Sequence, residues 1–252
     1  GFVVPGDYPK ANPSRMYIND EGVFKKLNTD IFAKLGLIKD AKAVDYDSDG
    51  KMDLVLAGEW TDIKILRNTG KGFEQVNDAI SSGTGLWQSL LFEDFDGDGD
   101  MDLIAGNLGL NSQYCASDKE PLQLHLADFD GNGRIDPVIS CFIQGESYPA
   151  YSRDELLDHI GSLRKVYTTY EIYSGTTTEM FLENFPDVKP EVFKATNLST
   201  TYFRNDNGKF VKVDLPVQIQ AAPIYAMLAK DLNADGKMDL IATGNNTHTR
   251  VR

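Results

Sequence analysis

Short apolar runs broken by acidic turns dominate the hydrophobic pattern of this chain. Residues 52–58 (MDLVLAG), 101–107 (MDLIAGN) and 238–245 (MDLIATGN) are rich in β-formers and bounded by glycine. Each follows an acidic turn. The segments before the turns, AVDYD from 43, LLFEDFD from 90 and LHLADFD from 124, have the same character, so the turns join strand to strand. A second kind of turn, rich in Asn and Gly, recurs as INDEGVF around Asn19, RNTGKGF around Asn68 and RNDNGKF around Asn205. Between alternating β segments this composition signals a hairpin. Asn19 to Asn68 is 49 residues, and so is Asp45 to Asp94. A period near 50 carrying four short strands predicts an all-β fold of four-stranded β-propeller blades, complete or incomplete.

The pattern changes between 150 and 197. In SRDELLDHIGSLRKVYTTYEIY, Ser152 and Glu155 have capping-box spacing, and Leu156, Ile160, Leu163, Tyr167 and Tyr170 fall on one helical face. Thr176 and Glu179 repeat the box. The expected organisation is blades over 1–149, a helical insertion of two or three helices over 150–197, and a return to the propeller over 198–252. Tyr167, Tyr170 and Tyr173 fit a buried stripe against the propeller better than a sugar platform.

Four acidic turns share one string: DYDSDGKMDL from Asp45, DFDGDGDMDL from Asp94, DFDGNGRIDP from Asp128 and DLNADGKMDL from Asp231. Oxygen side chains occupy the first, third, fifth and ninth positions and Gly the sixth. A hard cation needs six to eight oxygens, alternate residues of a tight turn can converge on it, and Gly permits the turn. The expected calcium ligands are Asp45, Asp47, Asp49 and Asp53; Asp94, Asp96, Asp98 and Asp102; Asp128, Asp130, Asn132 and Asp136; and Asp231, Asn233, Asp235 and Asp239. Lys51, Asp100, Arg134 and Lys237 would contribute main-chain oxygens. An EF-hand would place a bidentate Glu at position twelve, which here holds Leu56, Ala105, Ile139 and Ala242, so these are not EF-hands. The third loop begins 34 residues after the second, too soon for a full blade, and ends in Asp136-Pro137. Proline suits an edge strand, which predicts a place between the two outer strands of the second blade.

The D-x-D-x-D-G-x-x-D-L loops and N-x-x-G-x-F hairpins resemble the FG-GAP, or VCBS-type, repeats of integrin α-subunit propellers and of many bacterial secreted proteins. GEW at 58, GLW at 85, GNLGLN at 106 and SRDEL at 152 also look like large propeller proteins of Bacteroidetes-type bacteria. The resemblance implies an extracytoplasmic location and calcium at the hairpin between a blade's inner strands; it does not imply an enzyme. A start at Gly1 rather than Met agrees with removal of an export signal. The family's usual size favours a piece of a longer propeller with further blades over a ring closed by the two ends.

The charge of −13 is largely the loops' doing, since they hold fifteen of the 38 acidic residues. No basic cluster exists to bind nucleic acid, and no apolar run approaches the roughly 20 residues of a spanning helix. Cys115 and Cys141 allow one disulfide or none. With calcium loops at one face, the ends of the second strands emerge at the other. Glu59, Trp60, Trp87, Asn107, Asn111, Asn245 and Asn246 are the candidates there for a protein or glycan ligand, although the tryptophans equally suit a blade core and the asparagines turns. The three histidines are scattered, with no H-E-x-x-H or G-x-S-x-G. A non-catalytic binding module with structural calcium is therefore the leading reading. A calcium-dependent polysaccharide-processing enzyme and a purely assembly role are the alternatives.

Overall fold

The computed structural model describes residues 8–27 and 29–244, and the fold is mostly β with several antiparallel sheets. In chain order come β1 (Tyr17–Asp20), β2 (Val23–Lys26), β3 (Leu37–Val44), β4 (Asp53–Thr61), β5 (Lys64–Asn68), β6 (Phe73–Val76), β7 (Gly85–Leu86), β8 (Ser89–Glu93) and β9 (Asp102–Gly106). Next are β10 (Leu122–Ala127), β11 (Asp136–Ile143) and β12 (Glu146–Pro149), then helices α1 (Arg153–His159), α2 (Tyr170–Ser174) and α3 (Thr178–Leu182), and β13 (Glu191–Ala195). The chain finishes with β14 (Thr201–Asp206), β15 (Lys209–Val213), β16 (Ala226–Lys230) and β17 (Asp239–Thr243). The described residues divide into two compact units, one made of Pro9–Gln113 with residues 197–244, the other of Tyr114–Thr196.

In the first unit, β3-β4-β5-β6 form one antiparallel sheet and β8-β9-β14-β15 another, with β1-β2 and β16-β17 as separate pairs. All three Asn/Gly turns are hairpins: β1-β2, β5-β6 and β14-β15. The apolar runs are continuous because both strand faces are covered. Val55 and Ala57 point to a core shared with Trp87, Leu103, Ala105 and Phe203, while Leu56 points the other way, to Phe32, Leu35 and Leu66.

The second sheet departs from local spacing. Its outer hairpin lies at Asn205, 111 residues after Asp94, whereas Asn68 follows Asp45 by 23. The chain leaves at the far end of β9, runs through the whole second unit and returns to pair Thr201 with Ala105 and Phe203 with Leu103. The two ends of the excursion are fastened together: the Asn107 amide donates to Thr200 Oγ1 (3.1 Å), its Nδ2 to Asn197 O (2.9 Å), and Gly109 N to Leu198 O (2.8 Å). An insertion whose ends already touch costs the parent sheet little closure entropy. The third loop accordingly does not lie between the outer strands of the second sheet. It joins β10 to β11 in a sheet of its own, ordered β12-β11-β10-β13, and Pro137 opens β11 beside the loop.

In the second unit, α1 starts at Ser152, and both halves of the capping box with Glu155 are formed. Gly161 opens a 3₁₀ turn, so the helical face does not continue unbroken. Leu156, Ile160, Leu163 and Tyr167 are buried, but Tyr170 is exposed under the Arg153 guanidinium. The third helix is capped by Thr177, one residue later than expected, its side chain accepting from Met180 N (3.2 Å). Phe129, Phe181 and Phe185 pack at centroid separations of 5.1–5.4 Å between sheet and helices. Cys115 is exposed and Cys141 buried, with no disulfide between them.

Candidate metal loops

Each acidic loop is held by its own aspartates. The first accepts two loop amides: Asp45 from Asp49 N and Gly50 N (3.0 and 2.8 Å), Asp94 from Gly97 N and Gly99 N (2.7 and 3.0 Å). Asp128 accepts from Asn132 N and Gly133 N (2.9 and 2.7 Å), and Asp231 from Ala234 N and Gly236 N (2.7 and 2.9 Å). The sixth residue turns the chain with a positive φ of 83–96°, the region where Gly carries no steric penalty. The fifth side chains, Asp49, Asp98, Asn132 and Asp235, each accept from the amide of the seventh residue, Lys51, Asp100, Arg134 or Lys237, at 2.9 Å. Asp49 also meets Lys51 Nζ at 2.6 Å, and the Asp100 carboxylate takes the Asn207 amide (3.0 Å).

The ninth residue connects loop to hairpin. Asp53, fully buried, accepts from Tyr46 N (3.4 Å) and Asn68 N (2.6 Å); Asp102, also fully buried, from Phe95 N (3.2 Å), Asn205 N (2.7 Å) and the Tyr202 hydroxyl (2.7 Å). Asp136 and Asp239 take the matching loop amides, Phe129 N (3.0 Å) and Leu232 N (2.9 Å). The two repeated sequence motifs are thus halves of one hydrogen-bonded device. Asn68 and Asn205 were legible only as turn residues; the signal for their second role was the RN string shared by both hairpins. The preceding arginines reach the third-position aspartates, Arg67 Nε to Asp47 at 3.4 Å and Arg204 Nε to Asp96 at 4.0 Å.

Ligand atoms of Asp45, Asp47 and Asp53, of Asp94, Asp96 and Asp102, and of Asp128, Asp130 and Asp136 converge within 4.8 Å in each set. The fifth-position residues are not in these sets. In the fourth loop Asn233 stands at the third position, and its amide donates to Asp235 (3.1 Å). Desolvation, with the neighbouring carboxylates, pushes the carboxyl groups of Asp53, Asp96 and Asp136 upward from their ordinary value. Asp47 Oδ1 is buried with no hydrogen-bond partner among the described residues. Crowded oxygen donors, one of them orphaned, fit a hard divalent cation, which would relieve repulsion and orphan together. The first-, third- and ninth-position aspartates would hold it.

The proposed far-face residues scatter. Trp87 has no exposed surface and packs against Phe203. Asn107 is equally buried, its Oδ1 accepting from Leu86 N and Leu108 N and its Nδ2 donating to Asn197 O. Neither can touch a ligand here, because fold-internal contacts use both. Trp60 is 7% exposed, with a φ of 58° at the register break between Glu59 and Thr61. Glu59 accepts from Gln88 Nε2 and pairs with Lys39 Nζ, both at 3.0 Å. Asn111 donates to Ala221 O at 3.1 Å. Asn245 and Asn246 lie outside the described residues.

Residues 45–105, from the first aspartate of loop one to the penultimate residue of β9, match the family model of the FG-GAP-like repeat. The chain contains an FG-GAP-like repeat. No curated protein and no solved structure matches the chain. The match takes in the first loop with its hairpin at Asn68 and the second loop, whose own hairpin partner, Asn205, lies beyond it. Among the described residues no helix is long and apolar enough to cross a membrane.

Proposed function

We propose that this chain is a non-catalytic, calcium-binding module of a secreted or cell-surface protein, built on a β-propeller of FG-GAP-like repeats. Calcium is structural, and the partner is a protein or glycan at the face away from the loops. The observation that carries the reading is the double duty of Asp53 and Asp102. Each is a cluster member and at the same time the acceptor of an outer-hairpin amide. An ion held there fixes inner and outer strands together, which is scaffolding; a switch would need a bistable element instead. On this reading the ligand-facing role rests on exposed groups beside Glu59 and Asn111.

The test is thermal unfolding with and without chelator. A site filled at about 100 times its dissociation constant contributes about 2.7 kcal/mol. EGTA should lower the melting temperature by about 5–10 °C for a domain of this size, and excess calcium should restore it. An EGTA-insensitive melt would reject structural calcium.

A further inference from the structure

The second unit holds an open cavity of about 470 Å³, lined in part by Gln144, Glu146, Tyr148, Tyr151, Tyr173 and Ser174. That volume is in the range of small-ligand sites. Two of its aromatic walls are fixed in advance: the Tyr151 hydroxyl donates to Pro137 O (3.1 Å) and the Tyr173 hydroxyl to Tyr151 O (2.8 Å). Burial pushes both phenols up to about 12, so both keep the proton they donate. Gln144 and Gly145, with φ of 53° and 89°, reverse the chain between β11 and β12, and the exposed Gln144 and Glu146 of this turn join Ser174 of α2 in the lining. Ser174 and Thr176 spend their hydroxyl protons on Glu171 O (2.9 Å) and Ile172 O (3.3 Å). The side-chain donors remaining for a guest are the Gln144 amide and the Tyr148 phenol, and the Glu146 carboxylate accepts beside them.

We propose that this cavity is a binding subsite for a neutral sugar, whose ring lies against the tyrosine walls while its hydroxyls bond to Gln144, Glu146 and Tyr148. A cation would use the Glu146 carboxylate and the ring faces but leave the N–H and O–H groups of Gln144 and Tyr148 without an acceptor, whereas sugar hydroxyls use donors and acceptors alike. An apolar guest would leave all three polar groups unpaired, at a cost. Fixed walls favour binding because little is left to order when the guest arrives. The site extends the glycan arm of the proposed function but uses none of the metal-loop residues.

The experiment is saturation-transfer NMR on the intact chain with cellobiose, maltose and N,N′-diacetylchitobiose as probes, followed by calorimetric titration of any that binds. At least one disaccharide should receive saturation. Tyr148→Ala should then weaken it about tenfold, the scale of one lost stacking and hydrogen-bonding contact. Tyr148→Phe, which keeps the packing, should fall between. No transfer to any of the three at about 10 mM, or affinity unmoved by both Tyr148→Ala and Gln144→Ala, would overturn the proposal. So would preferential capture of tetramethylammonium. Since these variants should leave EGTA-sensitive melting intact, failure of the sugar site and failure of structural calcium are separately visible.

Discussion

Asn205 shows how much one side chain can hold. Its Nδ2 donates to Tyr46 O in the first loop (3.0 Å) and to Met101 O in the second (3.2 Å). Its Oδ1 accepts from Gly208 N (2.9 Å), while its own amide reaches Asp102. The residue is 1% exposed, so Asn205→Ala would leave several polar groups with neither partner nor water. The expected loss is about 2–4 kcal/mol. Asn68 makes the equivalent bonds to Met52 O and Gly70 N in exposed surroundings, and Asn68→Ala should cost only about 1 kcal/mol. Urea denaturation of both variants measures the difference; equal losses would contradict it. His125 invites a second test. It is buried, with Nε2 3.0 Å from Ser140 Oγ and Nδ1 without a hydrogen-bond partner among the described residues, and burial holds its pKa below the ordinary value. In the unfolded chain it takes a proton near pH 6.5, while the folded chain resists until lower pH. The neutral imidazole's contribution is therefore full above about pH 6.5 and is lost as pH falls toward the depressed folded value. Melting temperatures between pH 7.5 and 5 should fall more steeply for the natural chain than for His125→Gln.

At the scale of the element, Gly58 within β4 and Gly106 at the end of β9 matter through space and not through turns. A Cβ on Gly58 would sit 2.2 Å from Leu37 O, and one on Gly106 would lie 2.4 Å from Ser89 Oγ and 2.5 Å from Ile224 O. Neither has a positive φ, so it is close backbone passage that demands Gly. Gly106→Ala should cost about 2–4 kcal/mol. Gly161→Ala, with open space and ordinary φ, should be neutral or stabilising by a few tenths of a kcal/mol. Circular-dichroism melts of the pair decide it. These residues also mark what was legible. Loops, hairpins and the Ser152 capping box are local, each set by residues within about ten positions, and could be read directly. The place of the Asn205 hairpin could not, because it pairs with β9 across the inserted unit, and a spacing rule is blind to an insertion. Trp87 and Asn107 had the composition of a binding surface. Their burial depends on Phe203 and Asn197, about ninety or more residues away. The helical face through Tyr170 failed where Gly161 opened a 3₁₀ turn, and Thr177 took the cap in a run of three threonines whose members are chemically identical.

For the molecule as a whole, the distribution of loops between units makes a further outcome predictable. The first, second and fourth acidic loops belong to the larger unit, and the third, Asp128 to Asp136, belongs to the smaller, Tyr114–Thr196. If each ion stabilises the sheet it sits in, calorimetry of the calcium-loaded chain should show two transitions that chelation lowers separately. The same binding energy moves them unequally, by about 4–8 °C per kcal/mol in a unit of under 100 residues and about 2–4 °C in one of 150 or more. Asp130→Asn should abolish the calcium-dependent rise of the smaller unit's transition and leave the other in place. Asp96→Asn should do the reverse, and only in part, because Asp45, Asp47 and Asp53 remain for a second ion in the larger unit. One transition shifted alike by both substitutions would mean that the loops act on a single cooperative body, and the division of labour between them would be wrong.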